Sequence, residues 1–256
     1  MLGVIAGDMI GSTYEWTPIK TIDFPLFRVH STFTDDSVMT VATAAAIIDG
    51  TPYGRRYREF ARRYPDAGYG ASFHNWMKSD SEEPYNSWGN GSGMRVAPVG
   101  FAFKSAPTVL REARMSASPT HNHPEGIKGA QAIAYAVFSA RRGATKKQIR
   151  NGIIRRFGYD LNRSLDEIRP HYQFDVSCQG SVPEAILAFL ESETFEHAIR
   201  LAVSLGGDSD TLAAMTGGIA QAFYGTIPPE IADEVMGRLP PDLVDIVHAF
   251  ERRFPM

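Results

Sequence analysis

The chain of 256 residues contains one cysteine, Cys178. A lone thiol can close no intramolecular disulfide and build no thiolate zinc cage, and such sparing use is what a reducing compartment leaves, so the cytoplasm is the expected location. Positive charge is in short supply too, with 26 Lys and Arg against 29 Asp and Glu and a formal net charge of -3. That balance provides no global field for nucleic acid or an anionic membrane surface, so an anionic ligand has to be held by a local site. No run of about 18 apolar residues occurs. The opening MLGVIAGDMIGSTYEW has no basic region and carries Asp8 inside its apolar stretch, so neither membrane spanning nor export is expected. Alternating strands of useful length are lacking as well.

What the chain does have is 43% hydrophobic and 21% charged residues, enough for a full core. Val38, Val41, Ala42, Ala45 and Ile48 follow helical spacing, as do Leu212, Met215, Ile219 and Ala222. Further helices are expected over 2–12, 53–64, 70–78, 91–101, 107–117, 122–142, 145–156, 164–169, 181–190, 194–205, 228–237 and 241–252, with loops at 17–33, 79–90 and 157–180. The fold class is therefore all-α, a single compact multi-helix domain spanning 1–256. Two small-residue stripes, Gly3, Gly7, Gly11 and Ala214, Gly218, Ala222, recur every four residues and point to close helix packing.

Chemistry concentrates at two helix starts. Thr34-Asp35-Asp36-Ser37 precedes the helix that begins near Val38, and by itself it reads first as an N-cap with favourable first-turn charge. Gly206-Gly207-Asp208-Ser209-Asp210-Thr211 repeats the same residue types at a second helix start. Each cluster offers hard oxygen ligands suited to Mg²⁺ or Mn²⁺. Four convergent Asp carboxylates would repel one another unless cations neutralised them, and two divalent ions would balance four such charges.

These segments, together with Gly3-Val4-Ile5-Ala6-Gly7-Asp8-Met9-Ile10-Gly11-Ser12, Glu15, Gly89-Asn90-Gly91-Ser92-Gly93-Met94-Arg95 and Leu205 to Leu212 followed by Gly217-Gly218, resemble the ADP-ribosylglycohydrolases in the family's order. Thr120-His121-Asn122-His123-Pro124 and Pro183-Glu184-Ala185 add weaker support. The resemblance implies an all-α fold with a binuclear centre of two Mg²⁺ or Mn²⁺ held by Thr34, Asp35, Asp36, Asp208, Asp210 and Thr211. It also implies hydrolysis of the glycosidic bond between ADP-ribose and a modified protein or other macromolecule. It makes Glu15 a carboxylate near the metals and the scissile ribose; Asp208 or another ligand carboxylate could take the proton from water beside a transition state of oxocarbenium character, and which carboxylate is acid and which is base is not readable.

The resemblance assigns Gly89, Asn90, Gly91, Ser92, Gly93, Met94 and Arg95 to the ADP-ribose diphosphate and nearby ribose, and makes His121 a ligand contact. Read on its own, the glycine-rich segment is either an anion-cradling nest or a flexible connection. Arg95 suits a phosphate or a carboxylate equally. His121 and His123 lack a third zinc ligand nearby and could as well brace the loop. Tyr69, Phe73, Tyr85 and Trp88 could stack on adenine or fill the core. A hydrolase of another N-glycoside or nucleotide, and a non-catalytic ADP-ribose-binding relative, are the alternative readings. Which linkage is cleaved would be set by 79–88 and 157–180, so the acceptor is not readable.

Overall fold

A computed structural model describes residues 1–255, and all the regular elements among them are helices. In chain order these are α1 (Leu2–Gly11), α2 (Asp35–Asp49), α3 (Tyr53–Arg63), α4 (Ala71–Lys78), α5 (Gly91–Met94), α6 (Ala97–Ala102), α7 (Ala106–Ala117) and α8 (Pro124–Arg141). There follow α9 (Lys146–Phe157), α10 (Leu165–Ile168), α11 (Cys178–Glu191), α12 (Phe195–Ser204), α13 (Ser209–Tyr224), α14 (Pro229–Arg238) and α15 (Pro241–Arg253). The all-α single domain is as the sequence implies. No helix among the described residues is long and apolar enough to cross a membrane.

α13 is the axis of the molecule, packed by α1, α8, α11 and α12. It is buried from Ser209 to Ala222, and such all-round burial requires a helix without a polar face. α1 is nearly as enclosed and runs antiparallel to it, because small residues let the two backbones meet. A Cβ on Gly3 would lie 2.4 Å from the Gly217 carbonyl oxygen, one on Gly7 2.0 Å from that of Ala213, and one on Gly11 2.5 Å from the Asp210 Cα. The stripe on α1 is thus a packing device, but its counterpart includes Gly217. Gly218 instead meets Ala97 and Val4.

This antiparallel pairing sets the site. It places the C-terminal end of α1, and the Ser12–Glu15 turn after it, beside the N-terminus of α13. α2 packs on α1 as well, which brings a second helix N-terminus to the same end.

Most boundaries fall within two residues of the sequence reading, and three differ further: α2 starts at Asp35 rather than near Val38, because Thr34 caps it. The helix expected over 91–101 is two short ones, α5 and α6, separated at Arg95 and Val96, with Pro98 in the first turn of α6. Proline lacks an N–H to continue the α5 ladder and is at ease in a first turn. α11 starts at Cys178, inside the loop expected to run to 180, because the Ser177 hydroxyl accepts the Gly180 N–H at 3.1 Å and caps it.

Candidate active site and metal centre

The first turn of α2 is held from beneath by one buried carboxylate. Asp8, in α1, accepts the Thr34 N–H at 2.9 Å and the Ser37 N–H at 3.1 Å on Oδ2, and the Thr34 hydroxyl at 2.8 Å on Oδ1. The Ser37 hydroxyl donates to the same carboxylate. Thr34 also accepts the Asp36 N–H at 3.3 Å, so it is an N-cap. Capping does not exhaust Thr34: its proton goes to Asp8, the Asp36 N–H takes one lone pair, and the other stays available to a cation.

The first turn of α13 is built differently. Gly206 and Gly207 have φ of 69° and 86°, the left-handed region that L side chains rarely adopt, and a Cβ on Gly207 would meet the Gln173 carbonyl oxygen at 2.9 Å. This double turn delivers Asp208 to the helix start. The Asn90 amide donates to Asp208 Oδ2 at 2.6 Å, and the Thr211 hydroxyl reaches across to Asp36 Oδ2 at 3.1 Å, tying the two clusters together. Glu15, Asp208 and Asp210 each offer an oxygen within 4.8 Å of the others, a group able to hold a metal ion.

Six carboxylates thus share one end of the α1–α2–α13 core. Burial pushes all of them up, and repulsion within the group adds to it for four: Asp35 to about 8, Glu15 to about 7, and Asp36 and Asp210 well above the usual range, while Asp208 is raised by burial, with a smaller push from Asp175, in spite of the Asn90 amide. Asp8 rises to about 6, restrained by the four hydrogen bonds it accepts. No Lys or Arg forms an ion pair with any of the six among the described residues. Asp36 Oδ1 is buried without a partner. A buried, unpaired anionic oxygen is costly, and protons or hard cations are what would satisfy such a set. The donor set fits divalent metal.

Asp8, which supports the first turn of α2, is the residue to which the sequence reading gave no part in the site. Its signal was present, as the one charge within an otherwise apolar helix.

The glycine-rich segment borders this pocket. The Asn90 N–H donates to the Val176 carbonyl at 2.7 Å while its side chain holds Asp208, and Gly89 forms an isolated bridge with Ser177. Ser92 is turned inward, donating to the Gly126 carbonyl at 2.7 Å, and Gly93 and Met94 are buried in α5. Arg95 forms no ion pair with a carboxylate among the described residues. Fully buried, it donates to Thr120 Oγ1 at 2.7 Å and the Ser116 carbonyl at 3.3 Å, with its guanidinium 4.0 Å above the Tyr57 ring. These partners belong to α3 and the end of α7, which sequence proximity does not disclose. His121 is buried next to Gly91, whereas His123 caps α8 by accepting the Glu125 N–H at 3.1 Å.

Of the four aromatics, Tyr69 and Phe73 stack on each other, Tyr85 packs against His121, and Trp88 is exposed beside His123. A stacked pair the sequence did not suggest, Trp16 and Phe174 at 5.6 Å, stands exposed next to Glu15. Cys178 donates to the Gly89 carbonyl at 3.1 Å, and burial pushes its thiol up to about 12, which makes it a structural residue.

The fold and site together define an all-helical domain with a buried carboxylate cluster between two helix starts, bordered by a glycine-rich turn. The chain belongs to the ADP-ribosylglycohydrolase family, which it matches over residues 1–255. It is 26% identical to the ADP-ribosylhydrolase ARH3 of Mus musculus over 305 aligned positions, covering 88% of this chain and 82% of that one. It is likewise 26% identical to the ADP-ribosylarginine hydrolase Tri1 of Pseudomonas putida (strain GB-1), covering 92% of this chain and 72% of the relative. A solved structure described as an ADP-ribosylglycohydrolase-related protein complex superposes with a TM-score of 0.76 at 25% identity, over 98% of this chain and 95% of that one.

Proposed function

We propose that the protein hydrolyses the bond between C1 of the distal ribose of ADP-ribose and a nitrogen or oxygen of a modified target, releasing ADP-ribose, and that it does so with two Mg²⁺ or Mn²⁺ ions. The observation that carries this reading is the convergence of six carboxylates without a side-chain counter-cation. Thr34, Asp35, Asp36, Asp208, Asp210 and Thr211 would hold the ions. Divalent cations there would supply neutralising charge and polarise oxygens of ribose and water.

The chain's own groups have separable tasks. The bond from C1 to the target breaks, water contributes its oxygen to C1, and its proton goes ultimately to the departing nitrogen or oxygen. Asp208, oriented by the Asn90 amide, accepts the proton from the attacking water. Glu15, partly exposed at the pocket edge, as an anion stabilises positive charge developing at C1. Gly89 to Gly93 and His121 line the side where the diphosphate and adjoining ribose would lie.

The test is release of free ADP-ribose from ADP-ribosylated arginine, serine and nucleic-acid substrates, measured with Mg²⁺, with Mn²⁺ and with chelator. Release from at least one substrate, abolished by chelator and restored by metal, is expected. No release from any of them, or release that chelator leaves intact, overturns the reading.

A further inference from the structure

Arg95 is withdrawn from the ligand pocket, yet it is one end of a hydrogen-bonded chain that leads back to it. Its Nη2 donates to Thr120 Oγ1 at 2.7 Å, and Thr120 Oγ1 lies 2.8 Å from His121 Nδ1. A guanidinium can only donate, so it occupies a lone pair of the Thr120 oxygen and leaves the hydroxyl hydrogen to be directed at an acceptor. Nδ1 is the ring nitrogen at that distance. The charge of Arg95 lies on the same side and favours a lone pair facing it over an N–H. Burial, followed by that same positive charge, holds the imidazole well below its ordinary pKa, so the ring is neutral and carries one hydrogen.

We propose that Arg95 and Thr120 are positioning residues that fix His121 as the neutral Nε2–H tautomer and aim that hydrogen across the glycine-rich turn, as a donor to a phosphate or hydroxyl oxygen of a bound nucleotide sugar. The geometry on the far side of the ring agrees. A Cβ on Gly91 would stand 3.1 Å from His121 Nε2, and one on Gly89 3.6 Å from it, so the two glycines leave open the space that Nε2 faces. The ring itself is held in place: its backbone N–H donates to the Ala117 carbonyl at 2.8 Å, and Tyr85 packs edge-on at 6.0 Å. A neutral donor of fixed direction suits an oxygen ligand and keeps its hydrogen throughout the neutral pH range.

This inference rests on reading the pocket as an ADP-ribose site, but its first test does not. Long-range ¹H–¹⁵N spectra of the ligand-free protein, with His121 assigned by comparison with His121→Gln, report the tautomer directly. Nε2–H with an unprotonated Nδ1 is expected. Nδ1–H, or an imidazolium at pH 7, overturns the proposal.

Thr120→Val should then lose the single-tautomer signature and weaken ADP-ribose binding about tenfold, the value of one good hydrogen bond. Thr120→Ser should restore both, whereas a merely structural role for Thr120 would leave the tautomer unchanged. An unchanged Nε2–H signature in Thr120→Val overturns the assignment to Thr120. Failure of the wild type to bind ADP-ribose, with the expected tautomer present, overturns the proposed function and leaves the hydrogen-bonded chain standing.

Discussion

The two acidic helix starts look alike in sequence and are supported in opposite ways. The α2 start rests on Asp8, a carboxylate from another helix that accepts four hydrogen bonds from Thr34 and Ser37. The α13 start rests on backbone shape, the left-handed Gly206 and Gly207, and on one neutral amide, Asn90. Asp8 orders the turn from below and adds another negative charge to it. Asn90 lowers the cost of charge on Asp208 by donating to it. On the proposed reading, Asp208 is the carboxylate whose anion the chain itself supports, whereas Asp36 in one start and Asp210 in the other are pushed furthest up and would gain most from a cation.

The largest effect should come from removing charge at the α13 start. Asp208→Asn keeps the size of the side chain but forfeits both a ligand and the proposed proton acceptor, so ADP-ribose release should fall by more than about 100-fold, beyond what loss of an outer-shell partner typically does. Asp36→Asn should lose metal affinity to a similar extent, and titration calorimetry with Mn²⁺ separates the two. If Asp208→Asn lost only metal affinity and recovered full turnover at saturating Mn²⁺, the division of roles between the helix starts would be wrong.

Asp8→Asn comes next. It is not itself an expected metal ligand but holds one, Thr34, and an amide NH₂ would face donors from Thr34 and Ser37, leaving buried hydrogens unpaired. We expect metal affinity to fall about 10- to 100-fold, as for an outer-shell partner, together with a lower melting temperature of the metal-free protein. A variant with unchanged Mn²⁺ affinity would mean that the α2 turn holds its shape without Asp8.

Much of this arrangement was legible in the sequence. The helices were, because a 3.6-residue period is a local property, and so were the paired clusters, because each repeats Thr and Asp at a helix start. What could not be read was which distant groups meet. Asp8 looked like a stray charge in an apolar segment, and its partners lie 26 and 29 residues away. Arg95 had phosphate and carboxylate as equal candidates, and its true partners, Tyr57, Ser116 and Thr120, come from elements whose packing no local pattern specifies. The break at Arg95 and Val96 was hidden for a related reason: Pro98 is compatible with either one helix start or an interrupted helix, and only packing decides.

Protonation provides a smaller and wider test. Native carboxyls at about 6 for Asp8, 7 for Glu15 and 8 for Asp35 compare with 3.8, 4.5 and 3.8 in an unstructured chain. Between the lower and upper values the folded state binds more protons than the unfolded one, so stability of the metal-free protein declines as pH rises through about 4 to 8. Divalent metal competes with those protons. The melting temperature without metal should therefore be higher at pH 5 than at pH 8, and the increment produced by Mg²⁺ or Mn²⁺ should grow over the same interval. A flat metal-free profile would show that the carboxylates are not buried together.

Asn90→Ala should have the smallest effect and is the sharpest probe of the comparison. The side-chain amide makes a single hydrogen bond to Asp208 Oδ2 at 2.6 Å, while the backbone N–H of the same residue is tied to Val176 and would remain so in alanine. Folding and the left-handed turn at Gly206 and Gly207 should survive. What changes is the cost of ionising Asp208, whose carboxyl should rise further once the amide no longer stabilises the anion. A hydrogen bond to a charged group is worth roughly 1.5–3 kcal/mol, and water entering the vacated space offsets part of it. The expected loss in turnover is therefore about 10-fold, accompanied by an upward shift of the acidic limb of the pH–rate profile and little change in Mn²⁺ affinity. A fall in Mn²⁺ affinity as large as that of Asp8→Asn, with no displacement of the acidic limb, would instead make Asn90 a support of the metal centre. The two helix starts would then differ only in architecture and not in chemical role.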